Sequence, residues 1–273
     1  MRNLTLLLAF VTSALAAENP APIRVLLVTG GCCHDYAAQR LIIEKGLLER
    51  ANVTVTHAFN PSKGTDVLFD IYKQPNWGKD FDVVIHDECA ADVKDKAYIE
   101  NILAAHRNGL PAVNLHCAMH SYRFGNYGQP VQAGADNAAW FEYLGLQSSA
   151  HGPQLPIEIT FVDTTSAASV GLPNWTTGNE ELYNNISILT GRSLAKGKQV
   201  QKSKDGKSDK VTETVVVWTN TYGPKNTRIF STTLGHNNAT VQDPRYLDLV
   251  TRGVLWATGH LGEDGKAAAG YGR

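Results

Sequence analysis

A doubly wound α/β fold is predicted by three observations. Short apolar, β-branched runs alternate with segments of helical spacing through the first half of the chain. The runs are apolar on both faces, as strands covered by helices on either side must be. The chain has 273 residues, 43% of them hydrophobic and 19% charged, which is ample for one sizeable α/β core. The same arithmetic excludes other classes. A net charge of −1 provides no basic footprint for nucleic acid, and four Cys cannot build a disulfide scaffold of this size.

The elements run in order. Met1-Arg2, the apolar run Leu4 to Leu15 and Ala14-Leu15-Ala16 have the pattern of a secretory signal. A signal peptide over 1–16 and a secreted or periplasmic mature protein are expected, with no membrane association after cleavage. Ile23 to Thr29 reads as a buried strand ending in Gly30-Gly31, and Tyr36 to Arg50 as a helix. Val53 to Thr56 and Phe81 to His86 read as further strands, Val93 to Asn108 as a helix, and Pro111 to Leu115 as the fourth strand. The pattern then changes to alternation. Leu155 to Val162, Thr214 to Thr219 and Arg228 to Thr233 read as strands added antiparallel to a mostly parallel sheet. Pro244 to Thr258 is a closing amphipathic helix. The Lys-rich stretch Lys196 to Lys210 reads as a solvated hairpin tip, and Gly262 to Arg273 as a flexible tail after a single domain over 17–261.

Ligands of open α/β sheets bind beyond the carboxyl ends of the strands. His34, His86 with Asp87 and Glu88, His116 with Cys117 and His120, and His236 all fall at that expected edge. Imidazoles beside carboxylates form a metal-site constellation. His57, His106 and His260 are assigned to structural hydrogen bonding instead. Gly30-Gly31-Cys32-Cys33-His34 matches no phosphate loop and has no Lys to meet a phosphate. Cys117 comes just after a central strand, where a nucleophile elbow would stand. Its neighbours His116 and Met119 are too large for that strained turn, so Cys117 is expected to pack as a small apolar residue. The sequence leaves the pairing of Cys32, Cys33, Cys89 and Cys117 open.

With these residues in hand, the chain resembles the ThuA-like, or trehalose-utilisation, family. The resemblance is carried by VTGGCCH ending at His34, VVIHDE (Val83–Glu88), VNLHCAMHSY (Val113–Tyr122), the Trp140–His151 segment, EELY (Glu180–Tyr183), RIFSTTLGH (Arg228–His236) and RGVLWATG (Arg252–Gly259). It implies a flavodoxin-like fold related to class I glutamine amidotransferases, and a polar site with His34, His116, His236 and Glu181. It also implies that the amidotransferase triad is missing, because Asn237-Asn238 comes directly after His236. A divalent metal ion, zinc or similar, is expected on His34, His116 and His236. Glu181, His116, His120 and Asp87 are the candidate catalytic groups. Trp140, His151 and Tyr183 are the candidate contacts to a small carbohydrate, with Phe141, Tyr143 and Trp175 as further stacking faces. Of Glu180 and Glu181, one is expected to point inward while the other stays in water.

The expected activity is that of a metal-assisted enzyme on a 3-keto-glycoside or related sugar. A carbonyl at C3 acidifies the C2 proton, and its removal opens hydrolysis by elimination, or isomerisation. Two alternatives accompany it: a non-catalytic sugar-binding or accessory protein, and a Cys117–His hydrolase. An oligomer is compatible with all three.

Overall fold

The run Ile23–Gly31 (β1) must bury both faces, and the computed structural model shows how. The structure describes residues 20–203 and 208–273, so the expected signal peptide and the centre of the Lys-rich stretch lie outside the described residues. Parallel to β1 lie Val53–Asn60 (β2) on one side and Val83–Cys89 (β3) on the other. Ala112–Leu115 (β4) pairs with β3, and Thr227–Thr232 (β9) pairs parallel to β4. The second half adds Leu146–Phe161 (β5), Trp175–Ile188 (β6), Arg192–Gln201 (β7) and Lys210–Tyr222 (β8). One nine-stranded sheet results, in the order β2-β1-β3-β4-β9-β8-β7-β5-β6. Its last four pairings are antiparallel, so the sheet is evenly mixed rather than mostly parallel.

Helices cover both faces of the parallel half. Tyr36–Arg50 (α1) and Pro244–Ala257 (α5) bury Ile43, Leu47, Val250 and Val254 against Val25, Leu27, Ile85 and Val113. Lys96–Arg107 (α2) and Ala139–Leu144 (α3) bury Ile99, Leu103, Trp140 and Leu144 against Leu26, Val28 and Val84. The helix starts are chemically marked. Asp35, Asp95 and Asp243 each accept a backbone N–H in the first turn of α1, α2 and α5. A four-residue helix, Asn238–Val241 (α4), precedes α5. At the end of β1, a Cβ on Gly30 would stand 2.1 Å from Asn60 O, and one on Gly31 2.2 Å from Cys89 O. Only glycine lets the chain turn there into Cys32–His34.

Three expectations change. The third strand begins at Val83 and runs on to Cys89, so Asp87 and Glu88 lie within it. The first six residues of the Lys-rich stretch are strand, ending β7. The segment Gly262 to Arg273 is pinned rather than frayed. Asn52 donates to Tyr271 O at 2.9 Å, Arg273 donates to Arg50 O at 3.1 Å, and Tyr271 stacks on His260 at 3.7 Å. Backbone bonds and an aromatic stack hold a terminus that composition alone marks as loose.

Candidate functional site

His34 lies just beyond β1, His116 beyond β4 and His236 beyond β9. Their strands bring one ring nitrogen of each within 4.8 Å of the others. Glu181 arrives from β6 by a different route. Residues Leu146–Pro156 of β5 pair only with β6, whereas Glu158–Phe161 also pair with β7. The free part of this ribbon packs on the 3-10 turn His116–His120 and on α4. Its register shifts between His151 and Gln154; such bulges re-aim side chains beside sites. The Glu181 Oε2 atom then stands 3.2 Å from His236 Nδ1, 3.6 Å from His116 Nε2 and 3.5 Å from His151 Nδ1.

Hydrogen bonds around the rings fix their protons. The His116 Nδ1–H donates to Thr233 O at 2.7 Å. In the neutral ring this leaves the Nε2 lone pair facing the Glu181 carboxylate, and Nε2 is buried with no hydrogen-bond partner among the described residues. Two acceptors therefore face each other, which requires a cation between them, either a proton or a metal. His236 Nε2 meets the Gln154 amide nitrogen at 2.7 Å. With that amide donating, the His236 Nδ1–H points at Glu181, and turning the amide to present oxygen would free Nδ1 as a ligand. The His151 Nδ1–H lies between Gly152 O at 3.1 Å and Glu181, which leaves its Nε2 lone pair in the half-exposed mouth of the site.

The electrostatics result from this packing. Burial alone would raise the Glu181 carboxyl, but His116 and His236, when they carry the proton that faces it, take it well below the carboxylate range. The bond to Glu181 raises His236 above its ordinary value. Burial first, then the charges of His116 and His236, push His34 down to about 2.

Glu180 corrects an expectation. It does not stay in water: it is 0% exposed, and Glu181 is 8% exposed. The Glu180 carboxylate accepts the N–H groups of Gly235, His236 and Asn237 at 3.4, 3.0 and 3.1 Å. From the other side Gln39 Nε2 donates to the carbonyls of Gly235 and His236. Glu180 thus holds the loop that presents His236. The variant Glu180→Ala leaves three N–H groups without their anion. It is expected to lose about 3 kcal/mol, at the upper end for hydrogen bonds to charged groups, read as a lower urea midpoint. Gln39, Gln154 and Glu180 were invisible to the strand-end argument, because none comes directly after a strand of the parallel half. The adjacent pair Glu180-Glu181 was the one usable signal.

Other candidates stand elsewhere. His86 and Glu88 point to the opposite face, where Glu88 Oε1 meets Tyr72, Tyr122 and His86, and His86 Nε2 meets His106 Nε2. Asp87 is buried beneath the site and accepts from Thr29 Oγ1 at 2.8 Å. Its burial raises its carboxyl well above the usual range. The His120 Nε2 bonds to Ser148 Oγ at 2.8 Å, and its ring stacks on Tyr183 at 4.1 Å. It therefore backs the site rather than entering it. Tyr183 is 1% exposed and lies 4.9 Å from His116, a wall without an open face. Trp140 is a core residue, 2% exposed, its Nε1–H bonded to Ala118 O. Phe141 and Tyr143 are equally buried, while Trp175 carries Arg245 on its ring. The aromatics are core because both sheet faces need volume. Cys117 is neither nucleophile nor lone apolar residue: it is bonded to Cys89, and Cys32 is bonded to Cys33.

Two cavities lie beside the imidazoles that surround Glu181, one at His34 and His236 and one at His151. One of about 600 Å³ is lined by Cys33, His34, Asp35, Gln154, Asn179 and the 236–239 segment. The other, of about 290 Å³, is lined by His151, Tyr183, Asn184, Gln199 and Lys210 among others. A larger cavity of about 640 Å³ lies at the other end of the strands, around Asn76, Trp77, Asn101 and His260. Size does not make that one the better candidate, since the imidazoles and carboxylate converge elsewhere.

The family described as trehalose utilisation, ThuA, matches residues 24–257. The chain belongs to the ThuA family. Among solved structures it is similar to a ThuA-like protein from Parabacteroides merdae, with 19% identity, a TM-score of 0.61, and 87% of this chain and 90% of that one covered. A second ThuA-like protein, from Bacteroides uniformis, has 16% identity and a TM-score of 0.58 over 89% and 95% of the two chains. The carbohydrate deacetylase Agd3 has 10% identity and a TM-score of 0.50, over 88% of this chain but 33% of its own. Likeness at these identities establishes the ThuA fold alone. No curated protein matches.

The buried imidazoles also predict an acid response. Burial, then His86, pushes His106 down to about 3, and burial, then Arg123, pushes His120 well below its ordinary value. With His34 these are the three most buried of five lowered imidazoles, His57 and His260 being the others, and they stay neutral when folded but take a proton when unfolded below about pH 6.5. Their contribution is present above that pH and lost as pH falls. Asp87 opposes them, since its folded state keeps a proton the unfolded state releases. His236, raised by Glu181, acts above this window. Lowered imidazoles outnumber Asp87, so the urea midpoint of chelator-treated protein should fall as pH drops from about 6 to 4.5. A urea midpoint flat across that range would contradict neutral burial of these rings.

Proposed function

We propose that the protein is an exported, divalent-metal-assisted enzyme acting on a 3-keto-glycoside or a closely related oxidised sugar. One observation carries the reading: the lone pair of His116 Nε2 and the Glu181 carboxylate face each other, buried, with His34 and His236 beside them. The donor set suits zinc or a similar ion. Bonds of about 2.0–2.1 Å place tetrahedral ligands roughly 3.3 Å apart, and Glu181 Oε2 lies 3.2 and 3.6 Å from His236 and His116. His34, His116, His236 and Glu181 would hold the ion, which when bound stabilises negative charge developing on the sugar. The parallel order β2-β1-β3-β4-β9 supports the flavodoxin-like reading of this half. Two disulfides fit an oxidising compartment.

Proton removal falls to His151 in this reading, not to Glu181. With its Oε2 committed to the ion between His116 and His236, the Glu181 carboxylate is a weak base. His151 has its Nδ1–H directed at Gly152 O and Glu181, and its Nε2 lone pair is free at the mouth. It takes the C2 proton that the C3 carbonyl acidifies. Loss of the C1 substituent then gives an unsaturated ketone, and addition of water completes net hydrolysis. Asp35, Gln154, Asn179 and Asn237 offer hydrogen bonds to sugar hydroxyls in the cavity of about 600 Å³, a volume in the range of small-molecule sites. The cavity of about 290 Å³ beyond His151 suits the departing group.

The test pairs metal analysis of the purified mature protein with turnover of a 3-keto-glucoside. About one divalent ion per chain and chelator-sensitive release of the aglycone are expected. Sugar binding with no turnover would favour the accessory-protein reading. A protein that neither takes up metal nor binds the sugar would overturn both.

A further inference from the structure

The four cysteines form one cluster at the floor of the site, and their exposure is graded. Cys33 is exposed and lines the cavity of about 600 Å³. Cys32, Cys89 and Cys117 are 7%, 2% and 8% exposed, packed with Tyr36 and Phe59 in a small apolar cluster. A reductant in solvent therefore meets one sulfur of the four. The two disulfides also touch: Cys32 Sγ lies 3.6 Å from Cys89 Sγ, the two sulfurs in direct contact. Moreover Cys33 is held at φ 82°, a left-handed conformation that L residues other than Asn and Asp seldom adopt. Exposed disulfides are among the labile ones.

We infer that these residues form a thiol–disulfide exchange centre that accepts two electrons from a dithiol at Cys33 and delivers a free thiol at Cys117. The donor thiolate attacks Cys33 Sγ, forming a mixed disulfide and expelling Cys32 as a thiolate. The donor's second thiol then attacks its own sulfur in that mixed disulfide. This frees the Cys33 thiol and leaves the donor as its disulfide, two electrons and two protons poorer. The Cys32 thiolate attacks Cys89 Sγ, so the Cys32–Cys89 bond forms, the Cys89–Cys117 bond breaks, and Cys117 leaves with the electron pair and takes a proton. The net product carries one disulfide, Cys32–Cys89, and two thiols, Cys33 and Cys117. Reduction at the solvent edge thus emerges one residue from His116. There one ligand atom each of Cys117, Cys89 and His34 lies within 4.8 Å of the others.

The inference does not depend on the sugar chemistry and is tested without it. The full mature protein is treated with a single equivalent of dithiothreitol, alkylated, digested and mapped by mass spectrometry. Label on Cys33 and Cys117, with a Cys32–Cys89 cross-linked peptide, is the expected result. Label on Cys33 and Cys32 with Cys89–Cys117 intact would overturn it, as would label on Cys89 and Cys117 with Cys32–Cys33 intact. The variant Cys33→Ser provides a second reading without any reductant. Its remaining odd thiol should shift from Cys32 to Cys117, and a label that stays on Cys32 in folded protein also overturns the inference. If that variant does not fold, the wild-type map alone decides.

Discussion

His116→Ala should release the divalent ion from the protein and abolish turnover of a 3-keto-glycoside. His116 stands at the end of the central strand β4, is 2% exposed, and has its Nδ1–H committed to Thr233 O at 2.7 Å. That bond fixes both the tautomer and the ring plane, so Nε2 is presented to Glu181 without rotational freedom. Removing an outer partner of a metal-bound His costs about 10–100-fold in affinity or activity; removing the ring itself should exceed that range. Metal per chain after gel filtration is the direct measurement. His34→Ala repeats the test where burial is less complete, because His34 is only partly buried and its loss leaves no large void. Retained metal in both variants would remove the imidazoles from the ligand set and leave the facing acceptors to be bridged by a proton.

The alternating runs made the parallel half legible, down to the bounds of α1, because its central strands are apolar on two faces and each helix on one. The antiparallel half was less so. The ribbon β5–β6 carries Gln147, Ser148, His151, Glu180 and Glu181 within strands, and its bulges break the period-two pattern that identifies strands. For the same reason three imidazoles could be found from their places just past the ends of β1, β4 and β9, whereas Glu180 could not be assigned a direction. Asp87 and Glu88 show the opposite failure. Extending β3 by three residues, to Cys89, put them in the sheet, and alternation then sent their side chains to opposite faces, away from the edge. Trp140, Phe141 and Tyr143, expected to stack on sugar, are the buried residues of α3, and Trp175 packs in the core on the other face. No spacing rule distinguishes those two uses of Trp140.

Glu181→Gln should lower kcat by on the order of 10²-fold or more, the span typical of a lost acid–base partner, with sugar binding less affected. The substitution keeps size and one oxygen but removes the charge that three imidazoles share. His236, raised by its bond to Glu181, should then fall back toward its ordinary value, and His151 should lose the anion near its Nδ1–H. The metal measurement separates two consequences of one change. If Glu181 is a ligand, metal content falls together with kcat. If it acts only by orienting His151, metal content is retained, and His151→Ala should reproduce the loss of kcat without adding to it in the double variant, as coupled residues do. Glu180→Gln is the necessary comparison, since that carboxylate meets only backbone N–H groups. It should cost stability first and turnover second. Normal turnover in Glu181→Gln would show that this carboxylate neither holds the ion nor orients His151.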